Sequence, residues 1–194
     1  RALTDGCRAR SSTAVAAYEA AQHPTDAAVR KPNGAVYEFF VPVVKGYSTE
    51  MSLEVTDRGV QVHGGMGFIE ETGAAQHYRD ARIAPIYEGT NGIQAMDLVG
   101  RKLSMDGGEA ARAIIAEMKD TLAQLSRLYV GKPVERCAAA IEAVEDATLW
   151  LLDRKADADA AADVLAAADA YLKLMGDVIG GWMVAKGALA ALAL

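Results

Sequence analysis

The sequence predicts an all-α fold of packed helices. Three observations carry that prediction. Alanine is frequent while aromatic residues make up only 6%, whereas β-sandwiches draw on β-branched and aromatic residues. Apolar residues recur at three- and four-residue intervals in one stretch after another. Glycine, proline and short polar clusters punctuate those stretches at helix-length intervals. With 194 residues, 52% of them hydrophobic, the chain can bury one sizeable core, or one domain and part of another.

Residues 2–22 suit a helix with Ala14, Ala17, Tyr18 and Ala21 on one face, ended by His23-Pro24. Residues 24–34, with Asp26, Lys31, Pro32 and Asn33, read as a surface loop. A long helix follows, with Val36, Phe39, Phe40, Val43, Tyr47, Met51 and Val55 at helical spacing. Pro42 inside it predicts a kink or a later start, and Asp57-Arg58-Gly59 a bend. The run Val60-Gln61-Val62-His63-Gly64-Gly65-Met66-Gly67-Phe68 holds closely spaced glycines, so its backbone turns sharply or admits a close neighbour. Its glycine spacing is not that of a dinucleotide fingerprint. Residues 74–83 form a helix carrying Tyr78-Arg79-Asp80-Ala81-Arg82, stopped by Pro85. Then Ile86-Tyr87-Glu88-Gly89-Thr90-Asn91-Gly92-Ile93-Gln94 sets one carboxylate in a glycine-flanked loop at the mouth of another helix. Asn91 with Gln94 has capping-box spacing, and Thr90 is the alternative cap. That helix runs to about residue 103 with Ile93, Met96, Val99 and Leu103 inward.

Asp106-Gly107-Gly108 is the clearest boundary, dividing the chain into 1–105 and 106–194. Three helical patterns follow it. Residues 109–130 present Ile114, Ile115, Met118, Leu122 and Leu125; Gly131 is the C-cap and Pro133 opens the next helix. Residues 133–152 turn Val134, Cys137, Ile141, Val144, Thr148 and Leu151 inward. The third stripe is Val164, Leu165, Ala168, Tyr171, Leu172, Met175, Ile179 and Trp182. It continues through Gly176, Gly180 and Gly181, which predicts close helix–helix contact. Both ends of the chain read as cut from a larger protein.

A net charge of −6 and no basic stripe argue against a nucleic-acid partner. Cys7 and Cys137 stand alone, which points to a reducing, cytoplasmic setting without a disulfide framework. Residues 178–194, apolar except for Lys186, are short for a membrane span and read as a buried bundle helix, so no membrane partner is expected. His63 and His77 lack partners at metal-ligand spacing, so no metal is expected either.

Three places can carry chemistry. Glu88 is either a helix-start acid or a general base; Gly89 leaves room for a substrate beside it, and Ile86 and Tyr87 offer an apolar wall that strengthens a carboxylate as a base. Gln61 with Gly64 and Gly65 is either a tight turn or a set of donors for a phosphate or a flavin-type amide edge. Thr90 and Asn91 are either caps or part of an anion site.

The three motifs at 60–68, 78–83 and 86–94, in this order and spacing, resemble the C-terminal helical domain of the acyl-CoA dehydrogenases. Residues 1–59 are similar to the helices that precede them, and residues 106–194 resemble the C-terminal extension of the family's large members. The resemblance implies an up-down helical bundle continued by a helical extension. It implies α,β-desaturation of an acyl-CoA thioester, the α-proton passing to a glutamate and the β-hydrogen as hydride to FAD. By resemblance Glu88 is the base and its N–H a donor to the thioester oxygen, Gly89 lines the thioester, and Thr90, Asn91 and Gly92 lie against the flavin nucleotide. Gln61, Val62, His63, Gly64 and Gly65 match the stretch that reaches the FAD of a neighbouring subunit, which implies a homodimer. Gly92 stands where many relatives carry a larger polar residue, leaving a backbone contact. The implied electron acceptor is an electron-transfer flavoprotein, and the implied process fatty-acid β-oxidation. The family's N-terminal helical and middle β domains, which hold most of the flavin and acyl pocket, are not in this sequence, so the chain alone is expected to be inactive. The rival expectation is a non-catalytic helical assembly module of the same fold.

Overall fold

The computed structural model describes residues 2–23 and 26–192. Among these the fold is all-α, without a strand. α1 (Ala2–Gln22) and α2 (Ala27–His63) form an antiparallel hairpin, with the Tyr18 and Tyr37 rings 5.1 Å apart and Gly34 facing the Ala21 methyl. The short α3 (Gly65–Phe68), a 3-10 turn (Glu70–Thr72) and α4 (Ala74–Arg82) fold back along α2. α5 (Asn91–Asp97) runs directly into a π-helical turn at Leu98–Lys102. α6 (Glu109–Leu128), α7 (Lys132–Ala156), α8 (Ala161–Ala166) and α9 (Ala168–Leu192) follow.

α9 lies at the centre, packed on α1, α2, α5, α6 and α7. It runs antiparallel to α6, with Trp182 Nε1 donating to Thr121 Oγ1 at 2.9 Å and Lys186 Nζ reaching Glu117 at 2.7 Å. By composition this helix is long and apolar enough to cross a membrane, but its Tyr171, Leu172, Met175, Ile179 and Trp182 are buried inside the protein. They join Phe39, Phe40, Val43 and Tyr47 of α2, Leu98 and Val99, Ile114 and Met118 of α6, and Val144 and Leu151 of α7 in one continuous core. Two glycines let α9 approach. A β-carbon on Gly176 would lie 2.1 Å from the Tyr47 ring, and one on Gly46 would lie 2.9 Å from Leu172.

Several sequence expectations are corrected. The expected loop over 24–34 is helical from Ala27 onward, because Asp26 caps α2 by accepting the Ala28 N–H at 2.8 Å; Pro24 and Thr25 lie outside the described residues. α2 starts before Pro42 and continues through Gly59. A proline in a helix interior costs about 3 kcal/mol, but Phe39, Phe40 and Val43 are buried beside Pro42, each contributing roughly 1.5–3 kcal/mol. α6 stops at Leu128, and Gly131 precedes α7 instead of capping α6. Tyr18, Ile93, Met96 and Leu165 are exposed. After Met96 the π turn, with Leu103 N–H donating to Leu98 O at 2.8 Å, buries Leu98, Val99 and Leu103 on one side. In α7 Ile141, Val144, Thr148 and Leu151 are buried as expected while Val134 and Cys137 are half-buried, and the stripe into α9 otherwise stands as expected.

Candidate functional site

The 83–90 loop leaves α4 in tight turns, Ala84 N–H donating to Ala81 O and Ile86 and Tyr87 N–H to Ile83 O. Glu88 then takes φ 53° and Gly89 φ 88°. Among the described residues Glu88 is the only non-glycine with a positive φ. That left-handed conformation costs an L-residue roughly 1–2 kcal/mol, and it persists where surrounding contacts fix it, most often at functional sites. At Gly89 an added β-carbon would lie 3.0 Å from Gln94 Nε2, so glycine answers both the backbone angle and the space.

Thr90, not Asn91, caps α5, its Oγ1 accepting the Ile93 N–H at 3.3 Å. Gln94 does not close a capping box; its Nε2 donates to the Glu88 carbonyl at 3.4 Å. The Asn91 side chain turns toward α2. Its Nδ2 donates to Glu50 at 2.8 Å, and its Oδ1 lies 2.9 Å from Thr49 Oγ1 and 3.3 Å from Lys45 Nζ. Lys45 Nζ also donates to the Gly89 carbonyl. Asn91 N–H donates to Pro85 O at 3.1 Å and closes the loop. Gly92 sits in the first turn of α5 with its backbone uncrowded.

The N–H groups of Glu88, Gly89 and Thr90 have no acceptor among the described residues. The Glu88 side chain is exposed, and Ile86 and Tyr87, at 48% and 51% exposed, flank it without enclosing it. The expected apolar wall is therefore not closed by this chain. A carboxylate beside unpaired amide donors can accept a proton from a carbon acid while hydrogen bonds polarise that acid's carbonyl oxygen.

The second motif occupies the other end of α2. Gln61, Val62 and His63 form its last turn, with His63 Nδ1 2.8 Å from Gly59 O, and Gly64 at φ 60° ends the helix. A β-carbon added at Gly64 or Gly65 would meet nothing within 4 Å, whereas one on Gly67 would lie 2.2 Å from Val60 O. The local fold thus demands glycine at Gly67 for space and at Gly64 for its positive φ, and neither reason applies to Gly65. Val62 and Phe68 stand 85% and 81% exposed around this tip. Gln61 follows Glu50 on α2 by eleven residues, about 16 Å at a helical rise of roughly 1.5 Å per residue. Within one chain the structure therefore keeps the Gln61 motif apart from the Glu88 loop that Glu50 helps to hold.

Lys45, Thr49 and Glu50 are site residues that the sequence did not signal, because their partners lie more than forty residues away. A cleft of about 440 Å³ adjoins Asn91 on the other side, walled by Glu50, Glu54, Asp57 and Asp169. Four carboxylates there disfavour an anionic ligand, and Glu88 does not line it.

A family model described as "Acyl-CoA dehydrogenase, C-terminal domain" matches residues 6–103, about half of the chain. A second, "Acetyl-CoA dehydrogenase C-terminal like", matches residues 114–194. The chain is 44% identical to 3-methylmercaptopropionyl-CoA dehydrogenase of Ruegeria pomeroyi over 98% of its own length and 32% of that protein's. It is 31% identical to the broad-specificity linear acyl-CoA dehydrogenase FadE5 of Mycobacterium tuberculosis over 81% of its own length and 27% of the relative's. It is 33% identical to a butyryl-CoA dehydrogenase of Syntrophomonas wolfei over 63% of the chain and 20% of that protein. The chain thus spans about a third or less of the relatives it matches. The crystal structure of Caenorhabditis elegans ACDH-11 in complex with C11-CoA shares the fold, with a TM-score of 0.69 at 20% identity over 92% of this chain and 29% of that one. With residues 6–103 and 114–194 matched by these family models and 98% of the chain matched by a relative at 44% identity, the chain belongs to the acyl-CoA dehydrogenase family and corresponds to its C-terminal helical region.

Proposed function

We propose that this chain supplies the catalytic base of an FAD-dependent acyl-CoA dehydrogenase. The observation that carries the proposal is the 86–90 loop, where Glu88 is exposed at φ 53° and the N–H groups of Glu88, Gly89 and Thr90 have no partner among the described residues. The α-proton of a thioester is a far weaker acid than a carboxylic acid, so the carbonyl must be polarised while the base acts. In this proposal the Glu88 carboxylate accepts the α-proton, and the Glu88 N–H donates to the thioester oxygen where negative charge develops. Gly89, without a side chain, lets the thioester lie against the loop.

Bound FAD would supply the acceptor for the β-hydrogen, so that the product is an α,β-unsaturated thioester. The residues fit such a cofactor. Gln61 presents an exposed amide beside the open backbone of Gly64 and Gly65, and Val62 and Phe68 leave apolar surface for a neighbour to cover. Gln61, Val62, His63, Gly64 and Gly65 would hold the cofactor of a second subunit, because they lie about 16 Å along α2 from the loop's own support. Thr90 and Gly92 would face the nucleotide of this chain's own cofactor, with Asn91 acting through the loop that it braces. A homodimer, an acyl-CoA thioester as substrate class, an electron-transfer flavoprotein as acceptor and a cytoplasmic site of action complete the proposal.

The test is Glu88→Gln in the full-length enzyme, followed by anaerobic flavin absorbance. Loss of a general base is worth about 10²- to 10⁴-fold. Flavin reduction by acyl-CoA should fall at least that far while FAD remains bound. Reduction at the wild-type rate would remove Glu88 from the role and favour a non-catalytic assembly module.

A further inference from the structure

The Glu88 loop is held by one cation that no part of the proposed reaction uses. Lys45 projects from the middle of α2, half-buried, and donates to the Gly89 carbonyl and to Asn91 Oδ1. Both acceptors are neutral. The nearby carboxylate, Glu50, is taken up by Asn91 Nδ2 at 2.8 Å. The Asn91 amide thus bridges a cation and an anion on the same helix, and their opposite charges orient it, oxygen toward Lys45 and Thr49 and nitrogen toward Glu50. Lys45 and Glu50 are five residues apart on α2, outside the i,i+3 and i,i+4 spacings at which helix side chains pair. Lys45 grips the loop instead.

The grip falls at a telling place. Gly89 follows the left-handed Glu88, and fixing the Gly89 carbonyl fixes the peptide plane next to the residue that carries the base and the oxyanion donor. The other contact on this pair of residues is the Gln94 Nε2 bond to the Glu88 carbonyl, which is 3.4 Å long and exposed. A hydrogen bond from a charged donor is roughly twice as strong as a neutral one. Among the described residues Lys45 is therefore the stronger of the two side-chain restraints on strained Glu88 and the glycine that follows it.

We infer that Lys45 is a positioning residue: by clamping the Gly89 carbonyl and the Asn91 amide, it aligns the Glu88 carboxylate and N–H with the α-carbon and carbonyl oxygen of one thioester. This rests on the proposal that Glu88 is the base. A clamp of this kind acts on geometry that matters only during proton transfer, and a displacement of about 1 Å can cost roughly 10²-fold in rate.

The test uses the full-length, FAD-loaded enzyme and anaerobic stopped-flow reduction by a panel of straight-chain acyl-CoA thioesters. Lys45→Met keeps the side chain's reach and removes its charge and donors. The limiting rate of flavin reduction should fall about 30- to 100-fold, while the acyl-CoA dissociation constant and FAD content per subunit stay within about 3-fold. Lys45→Gln, which keeps an amide donor, should fall between Lys45→Met and wild type. Rate, affinity and FAD content declining together in both variants would mark a merely structural role and overturn the inference. Glu88→Gln is run in parallel. If it is inactive and Lys45→Met reduces at the wild-type rate, the clamp alone is refuted; if Glu88→Gln reduces normally, the base proposal fails and the clamp with it.

Discussion

Tyr171 and Tyr47 show how single side chains tie the helices together. The Tyr171 hydroxyl lies 2.9 Å from Thr148 Oγ1 inside the core, and burial pushes its pKa above the usual tyrosine value despite that hydrogen bond. Tyr47 is shifted the same way, first by burial and then by its hydrogen bond to Asp177. The Arg10 guanidinium stacks over the Tyr47 ring at 4.2 Å and donates to Gly176 O at 2.9 Å, joining α1, α2 and α9. A tyrosine whose folded pKa is raised holds its proton longer in the folded state than in the unfolded one. Its contribution is fully present below the unfolded value of about 10 and is lost as pH rises through the folded value. The melting temperature of the full-length protein should therefore drop from about pH 10 upward. Tyr171→Phe should lower stability by about 1 kcal/mol at neutral pH and flatten that alkaline slope; an unchanged slope would contradict the assignment. At this scale the sequence was legible where the cue is local. The turn at Glu88 was legible because Gly89 and a helix start adjoin it. Arg10, only 1% exposed, and Lys45 gave no such cue, because what they bind comes from distant segments.

Among the elements, α9 shows what spacing can and cannot reveal. Its glycines at 176, 180 and 181 predicted close packing. Gly176 meets Tyr47 and Gly180 faces Arg10, but Gly181 meets nothing within 4 Å. Periodicity marks a face of the helix, and only the partner's position says which glycine is crowded. Gly176→Ala should destabilise by about 1–3 kcal/mol through overpacking, whereas Gly181→Ala should be neutral or stabilise by up to about 1 kcal/mol from helix propensity. Thermal melts of the two variants check this, and equal shifts would contradict the contact. The start of α2 was misread for a related reason. Pro32, Asn33 and Gly34 are turn residues locally, yet the Asp26 cap and the hairpin contact of Gly34 with Ala21 outweigh them. The π turn at Leu98–Lys102 had no sequence cue; helical spacing already set Val99 and Leu103 inward, and Leu98 is buried beside them while Lys102 reaches Glu38.

At the scale of the whole molecule, exposed apolar residues occur at the Gln61 tip and at the Glu88 loop, as they do elsewhere on the surface. Val62, Met66 and Phe68 surround the Gln61 tip, and Ile83, Ile86, Tyr87 and Ile93 surround the Glu88 loop. In the proposed dimer these surfaces meet the second copy and the bound cofactor. The all-α class and both motifs were legible in the sequence. Their separation was not, because it depends on α2 running unbroken from the braces of the loop to the Gln61 tip. In the proposed dimer each chain gives its base to one site and its Gln61 tip to the other. Gln61→Ala in the full-length enzyme should accordingly lower FAD retention more than the rate of flavin reduction in the sites that stay loaded.

The most direct test of that arrangement is a mixed dimer with Glu88→Gln in one subunit and Gln61→Ala in the other, purified through two different affinity tags. The quantity measured is flavin reduced by acyl-CoA per dimer, with the Gln61→Ala homodimer as the flavin-poor control. If Gln61 serves the neighbouring site, one site of the mixed dimer keeps both Glu88 and an intact Gln61, and about half of the wild-type flavin reduction per dimer survives. If Gln61 serves its own site, the site with the base lacks its flavin and the site with flavin lacks its base. No reduction above the homodimer control would then be seen, and the shared-site account would be wrong.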